Sequence, residues 1–401
     1  MKNEDSPMNL NTILFLTALP VCATAMQIGA WVGGDGTTPQ PTQANVDAFE
    51  TLQDRHLDLI SVFALWQYND WAWTKTYADI AANNGSTLVV TWMPNDYAVA
   101  DINSGVYDSY ITEFANGVKD FGKEIWIRPF HEANGTWYTW AVGNSSGANT
   151  NATVAEAFRH VVTIFKNLNV TNVKWVWTTN NKNSTAATSF TGTYPGDDYV
   201  DYISIDGYNW GKSQSWASWQ SFSSVFSASY KALANINKPL FIAEFSSSEI
   251  GGDKAQWIRD MFNVLPTQFP KIMGLMWFSQ SKSSTEADWA LNTSNAAVTA
   301  WKEGLKKNYP VIVSLPKSET MSIGNKPFKI NTGSISLMLS SANIVQISQV
   351  DLKGKTVWQS QPQSFSAGTY QITIPKISQM SLWRVRIGNS VYVQQVAPTR
   401  F

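Results

Sequence analysis

The sequence predicts a (β/α)8 barrel followed by a small β-sandwich, and three observations carry that expectation. Eight short apolar runs recur along the first three quarters of the chain, each continuous rather than alternating, as strands buried on both faces should be. Amphipathic segments of helical period lie between them. After Pro310 the helical period stops and short alternating segments take over.

The strand-like runs are 27–32, 57–65, 86–92, 124–130, 172–177, 202–206, 239–244 and 272–278, rich in Val, Ile, Phe and Trp. Helical segments fit 46–56, 109–121, 154–168, 219–234 and 254–265, with a last one at 296–307 before the break at Tyr309-Pro310. The clearest is the third, where Val154, Phe158, Val161, Val162, Phe165 and Leu168 keep one face. Eight such units in about 280 residues match a barrel of about 250. A doubly wound open sheet is the alternative, but no phosphate-binding glycine motif follows the first strand. Residues 26–310 are assigned to the barrel. Residues 311–401 are assigned to a sandwich whose turns fall at Gly324-Asn325, Lys353-Gly354-Lys355, Ala367-Gly368 and Gly388-Asn389.

Residues 1–25 read as a secretory signal peptide. The apolar stretch from Thr12 is too short to span a bilayer and ends in an A-x-A site at Ala23-Thr24-Ala25. Lys2 is offset by Glu4 and Asp5, so Met1 and Met8 both stand as starts. The single cysteine, Cys22, lies in this segment, which leaves the mature chain without thiol or disulfide chemistry. The expected location is outside the cell, at its surface or in a periplasm.

Composition narrows the partners. The 401 residues carry a net charge of -1, so neither nucleic acid nor an anionic membrane is expected. Charged residues make up 15% of the chain, against roughly 25% in soluble domains. Tryptophan stands out: there are 19, 17 of them before residue 310. Such a chain suits a partner with flat apolar faces and many hydroxyls, such as a sugar polymer, though a large core would also use them. Residues 311–401 hold nine Lys or Arg and two Asp or Glu, a balance of +7, which leaves -8 on the remainder. That basic segment is a candidate for cell-surface association, or simply a solvated face. No metal-ligand spacing is evident, so neither a metal nor another cofactor is expected, and a monomer is assumed.

Two glutamates close apolar strands, Glu132 the fourth and Glu244 the seventh, 112 residues apart. In this fold both would face the C-terminal mouth. A carboxylate at the end of an apolar run is costly unless paired or hydrogen-bonded, and two at one mouth can run glycoside hydrolysis, one as acid and the other as nucleophile or base.

The run Arg128-Pro129-Phe130-His131-Glu132-x-Asn134-Gly135-x-Trp137 resembles the acid/base motif of glycoside hydrolase family 26, a (β/α)8 family of retaining endo-β-glycanases. Tyr194 to Asp201, Asp206-Gly207-Tyr208-Asn209-Trp210 and Ala243-Glu244-Phe245 are similar to the family as well, so the resemblance spans 27 to about 308. It implies Glu132 as general acid/base and Glu244 as nucleophile, with Arg128 keeping Glu244 charged and Tyr208 donating to it. His131 and Asn134 are assigned to the sugar, and Arg128 and Tyr208 are counted with them among the substrate-binding residues. Trp277 is expected under the sugar at the cleavage point and Trp137 along the same subsite, with Trp92, Trp210 and Phe245 at strand ends facing the mouth. Trp126, Trp175, Trp257 and Trp301 are expected in the core; Trp66, Trp71 and Trp73 fall in the loop after the second strand. Mannanases of the family usually carry Trp-His at the end of strand three, whereas here Met93 follows Trp92. The resemblance therefore implies mixed-linkage β-1,3/1,4-glucan as substrate, with mannan as the alternative and an inactive sugar-binding protein as a further one.

Overall fold

The computed structural model describes residues 26–33, 40–308, 327–331, 333–339, 343–351, 356–361, 363–375, 380–388 and 390–396. The expected signal peptide, Cys22 and the 310/311 boundary lie outside them. Eight parallel strands close a barrel in sequence order: β1 (Gln27–Val32), β2 (Leu59–Leu65), β3 (Thr87–Met93), β4 (Ile125–Pro129), β5 (Val173–Asn180), β6 (Tyr202–Asn209), β7 (Leu240–Ser247) and β8 (Ile272–Ser279). Closure comes from β1 on β8, in register from Gln27 with Gly274 to Val32 with Ser279.

The helices are α1 (Gln43–Gln53), α2 (Trp71–Asn84), α3 (Val99–Asn103), α4 (Asp108–Phe121), α5 (Asn151–Asn167), α6 (Phe222–Leu233), α7 (Lys254–Gln268) and α8 (Asn295–Asn308). Helix α2 departs from the sequence reading. Trp71 and Trp73 open α2 rather than sit in a loop; Asp70 caps the helix by accepting from the Trp73 N–H, and Gly85 ends it at φ 80°. Its buried stripe is Thr74, Ala78 and Ala81, too small and polar to register as an apolar face. The crossover from β5 to β6 contains only a short 3-10 turn, Asp197–Tyr199, so the fifth unit lacks its α-helix.

Side chains alternate along each strand. The lower barrel interior is plugged by Leu59, Val89, Trp126, Val176, Phe241 and Met276, while the opposite faces pack against the helices. A register shift interrupts this in β7: Ile205 of β6 pairs with Ile242, but the next residue, Asp206, pairs with Glu244. The extra residue re-aims the strand. Ala243 joins the plug, and Glu244 still turns inward beside Asp206.

Beyond the barrel, β9 (Phe328–Asn331), β10 (Ser334–Leu339) and β14 (Gly368–Thr373) form one antiparallel sheet. The other holds β11 (Asn343–Val350), β12 (Thr356–Gln359), β13 (Gln363–Phe365), β15 (Ser381–Ile387) and β16 (Ser390–Val396). They share a core of Ile335, Leu337, Val345, Ile347, Trp383 and Val385, separate from the barrel's. Among the described residues, no helix is long and apolar enough to cross a membrane.

Helix α8 lies against α7 where Gly304 leaves no room: a Cβ there would sit 1.9 Å from the Phe262 ring. Gly304→Ala gains about 1 kcal/mol of helix propensity but overpacks a buried contact at about 1–3 kcal/mol. We expect a net loss, read as a lower urea midpoint at unchanged slope; a raised midpoint would show that the contact yields.

Candidate active site

The barrel mouth is built around Arg128. This residue is fourth in β4 and points inward, one step above Trp126, with 1% exposure. Its Nε and Nη2 donate to Thr91 Oγ1 of β3 at 3.1 and 2.8 Å. Nη1 donates to Asp206 Oδ2 of β6 at 2.5 Å. Nη2 also forms an ion pair with Glu244 Oε1 of β7. The other oxygen of Glu244 accepts from the Tyr208 hydroxyl at 2.8 Å. Both neighbours expected from the sequence therefore hold Glu244. Arg128 does so from beneath the site, however, and does not line the cleft as a sugar ligand.

Glu132 lies just past β4 in different surroundings. Its Oε1 accepts from Asn180 Nδ2 and its Oε2 from Trp137 Nε1, both at 2.8 Å. No cation pairs with it among the described residues. Burial, and then the charge of Glu244, push its carboxyl up to about 7, against the opposing pull of the two hydrogen bonds and Arg128. The backbone there is strained: Phe130 and Glu132 adopt φ 52° and 54°, the left-handed region that side chains avoid.

His131 is buried at 1% and does not line the cleft. Burial and the Arg128 charge hold its pKa well below the usual histidine value, so the ring is neutral. Nε2 lies 2.9 Å from the Tyr138 hydroxyl, and Nδ1 has no partner. A buried orphan N–H is costlier than a bare lone pair, which places the proton on Nε2 and makes His131 the donor to Tyr138. Tyr138, stacked on Trp140 at 4.3 Å, is then free to direct its own proton into the cleft that it lines. At this position it is Tyr138, not His131, that lines the cleft.

Asn134 is buried as well and works within the protein. Its amide donates to the carbonyls of Asn180 and Lys182 and to Asn183, and its oxygen accepts from the Asn180 N–H at 2.8 Å. It clamps the loop after β5, and so sets the Asn180 that holds Glu132.

The cleft has a volume of about 980 Å³ and is walled by aromatic residues, among them Trp31, Phe63, Trp137, Tyr208, Trp210, Trp216 and Phe278. Trp137 and Trp210 stand where the sequence predicts. Trp277, Phe245 and Trp92 do not, because each falls on the helix-facing side of its strand. Trp277 is fully buried against Phe245 and Trp301, and its Nε1 donates to the Trp289 carbonyl at 2.9 Å. Phe245 also faces Trp257 of α7. Trp92 packs on Phe114 of α4 at 4.4 Å. Their neighbours line the cleft instead: Phe278, stacked on Trp31 at 4.5 Å, Glu244 and Met93. Asp206 is a further residue without an assigned role in the sequence reading. It carries the signal that marked the glutamates, an acid closing an apolar strand. Trp126, Trp175, Trp257 and Trp301 are buried as expected, and so is Trp66.

Residues 69–260 match Glycosyl hydrolase family 26. Over 283 residues the chain is 50% identical to Endoglucanase H of Acetivibrio thermocellus, covering 70% of this chain and 30% of that protein. It thus spans less than a third of that relative's length. It is 26% identical over 184 residues to Mannan endo-1,4-beta-mannosidase of Bacillus subtilis, 42% of this chain and 44% of that one. The structure of a modular endo-β-1,4-mannanase from Cellulomonas fimi shares the fold, at a TM-score of 0.54 and 11% identity over 93% of this chain and 94% of that one.

The two carboxyls are electrostatically coupled, and the coupling can be measured. A carbon-13 titration should place Glu132 at about 7. Glu244→Gln removes the neighbouring negative charge and should move that midpoint down. Asn180→Ala removes a bond to the charged form and should move it up. A midpoint indifferent to Glu244→Gln would show that the two groups do not sense each other.

Proposed function

Because its barrel belongs to glycosyl hydrolase family 26, we propose that this protein is a secreted retaining endo-β-glycanase acting on mixed-linkage β-1,3/1,4-glucan by double displacement. The observation that carries the reading is the contrast between two carboxyls at one mouth. Glu132 is held protonated up to about pH 7, while Glu244 is ion-paired with Arg128.

In the first step Glu132 gives its proton to the oxygen of the leaving sugar as Glu244 Oε2 or Oε1 bonds to the anomeric carbon. The glycosidic C–O bond breaks, and Glu244 becomes a neutral ester. Loss of its charge removes the repulsion that kept Glu132 protonated, so Glu132, now a carboxylate, takes a proton from the water that attacks the ester. Glu132 regains its proton and Glu244 its charge. The Tyr208 hydroxyl donates to Glu244 at the start and steadies the carboxylate as it returns. Tyr138 and Trp137 meet the sugar from the wall beside Glu132.

Two observations favour glucan over mannan. The 50% identity is to an endoglucanase, and Met93, which lines the cleft, offers no strong donor to a sugar hydroxyl. A polymer of this size is met outside the cell, in keeping with a leader at residues 1–25. The basic C-terminal sandwich is read as a surface-association module, and the site is complete within one chain, which suits a monomer.

Purified protein should release reducing ends from barley-type β-glucan and little from mannan or xylan; release from mannan alone reverses the substrate, and release from none favours a binding protein. On glucan, kcat/KM should decline as pH rises through about 7, since the reactive form carries the Glu132 proton. Glu132→Ala should lower kcat/KM on the polymer by about 10²–10⁴ and far less on a substrate with an activated leaving group. Glu244→Ala should abolish turnover, with azide restoring it as the α-glycosyl azide; a β-azide would exchange the two roles.

A further inference from the structure

The cleft extends beyond what the two carboxyls need. Two indoles are exposed among the described residues, Trp137 at 50% and Trp216 at 66%. Trp137 is accounted for by its bond to Glu132. Nothing described so far uses Trp216, yet it lines the same cleft.

Trp216 lies on the segment between β6 and α6, and that segment is tightly fastened. Gln214 Nε2 donates to the Glu286 carbonyl across the mouth at 2.7 Å. The Lys212 N–H donates to the Ile250 carbonyl at 2.7 Å, and the Gln220 N–H to the buried Asn209 side chain at 2.9 Å. The indole rests on Trp210 at 5.0 Å, and Trp210 stands edge-on to the buried Trp289 at 4.9 Å. An indole held rigidly in water by a built base forgoes the free energy its burial would give. A ligand that covers it recovers that energy with little ordering cost.

The rings also form a path. Tyr208, which is bonded to Glu244, is 6.5 Å from Trp210, and Trp216 is the next ring outward. The ion pair of Lys282 and Glu286 lines this end of the cleft. A flat apolar plate with charged groups at its side suits one ligand class in particular: a β-linked pyranose, whose axial C–H groups meet the negative face of an indole while its equatorial hydroxyls reach the rim.

We propose that Trp216 is the platform of a distal sugar subsite, which takes a ring of the same β-glycan chain away from the bond that is cut, with Lys282 and Glu286 at its hydroxyls. The proposal rests on the glycan-cleaving reading and extends its site. It makes affinity depend on chain length: oligosaccharides too short to reach Trp216 bind alike with or without the indole, and longer ones gain from it.

The test uses Glu132→Gln protein, so that ligands are bound and not cut, titrated calorimetrically with mixed-linkage β-glucan oligosaccharides from trimer upward. Affinity should rise with length, and adding Trp216→Ala should remove about tenfold of that rise while leaving the shortest binder unchanged. Trp216→Phe should keep part of the gain, which separates a stacking role from damage to the loop. An equal rise with length in the Trp216→Ala protein overturns the subsite. If the Trp216-containing protein binds no oligosaccharide of any length, it is the glycan reading underneath that fails.

Discussion

The Arg128 guanidinium is the part of the mouth on which the others depend. It crosses the barrel interior above the apolar plug and ties β4 to β3, β6 and β7 through Thr91, Asp206 and Glu244. Only a planar fork with several fixed donors can do this from one buried point; a lysine would offer a single ammonium. The arrangement is not stabilising in itself, since desolvating three charged groups offsets much of their attraction. Removing one partner is what costs heavily, about 3–5 kcal/mol for a buried pair. Asp206 makes this plain. It is fully buried, its second oxygen has no partner, and burial pushes its pKa well up against the pull of Arg128. Its visible work is to hold the guanidinium that holds Glu244.

The same cation separates the two glutamates chemically. Glu244 touches it, whereas Glu132 is offered only the neutral donors of Asn180 and Trp137. Keeping Glu132 there requires backbone that side chains disfavour, at Phe130 and Glu132, at about 1–3 kcal/mol each. Such strain persists where surrounding contacts over-determine it. The Trp140 indole donates to the His131 carbonyl at 2.8 Å, and Asn134 locks the neighbouring loop. His131 and Asn134, which the motif suggests as sugar ligands, are better understood as the supports of this strained turn and of Tyr138.

What the sequence made legible follows from where its signals are strong. Strand ends were visible because apolar runs stop there, so Glu132 and Glu244 could be placed at one mouth from opposite sides of the chain. The phase of each strand was not visible. A continuous apolar run carries no alternation to fix it, and a slip of one residue exchanges the inner and outer faces. The sequence therefore points to Trp277 and Trp92 at the mouth, where the structure places their neighbours Phe278 and Met93. In β7 alternation would have misled in any case, since the bulge near Glu244 puts that residue inward after the inward Ala243. Helix α2 gives no helical signal because its buried stripe is Ala and Thr, whereas the β5–β6 crossover, where no helical segment is read, contains only a 3-10 turn.

These phase relations divide recognition at the mouth in a definite way. The large indoles of β3 and β8 face the helices and give rigidity, not contact; Trp92 and Trp277 are each fully buried among aromatic neighbours. On β1, β2, β3 and β8 the residues that face the cleft are Trp31, Phe63, Leu65, Met93 and Phe278, and none offers a carbonyl-like acceptor or a charged group. That wall can stack and exclude water, but it cannot read the configuration of a hydroxyl. Polar reading therefore falls to groups on loops and at their roots: Gln40, the Asn180 to Asn183 turn, Tyr138, Gln280 and the Lys282–Glu286 pair. Loop side chains vary without disturbing the barrel. On the proposed glycan-cleaving reading, the arrangement keeps Glu244 on a rigid strand through Arg128 and leaves the choice of glycan to residues that can change around it.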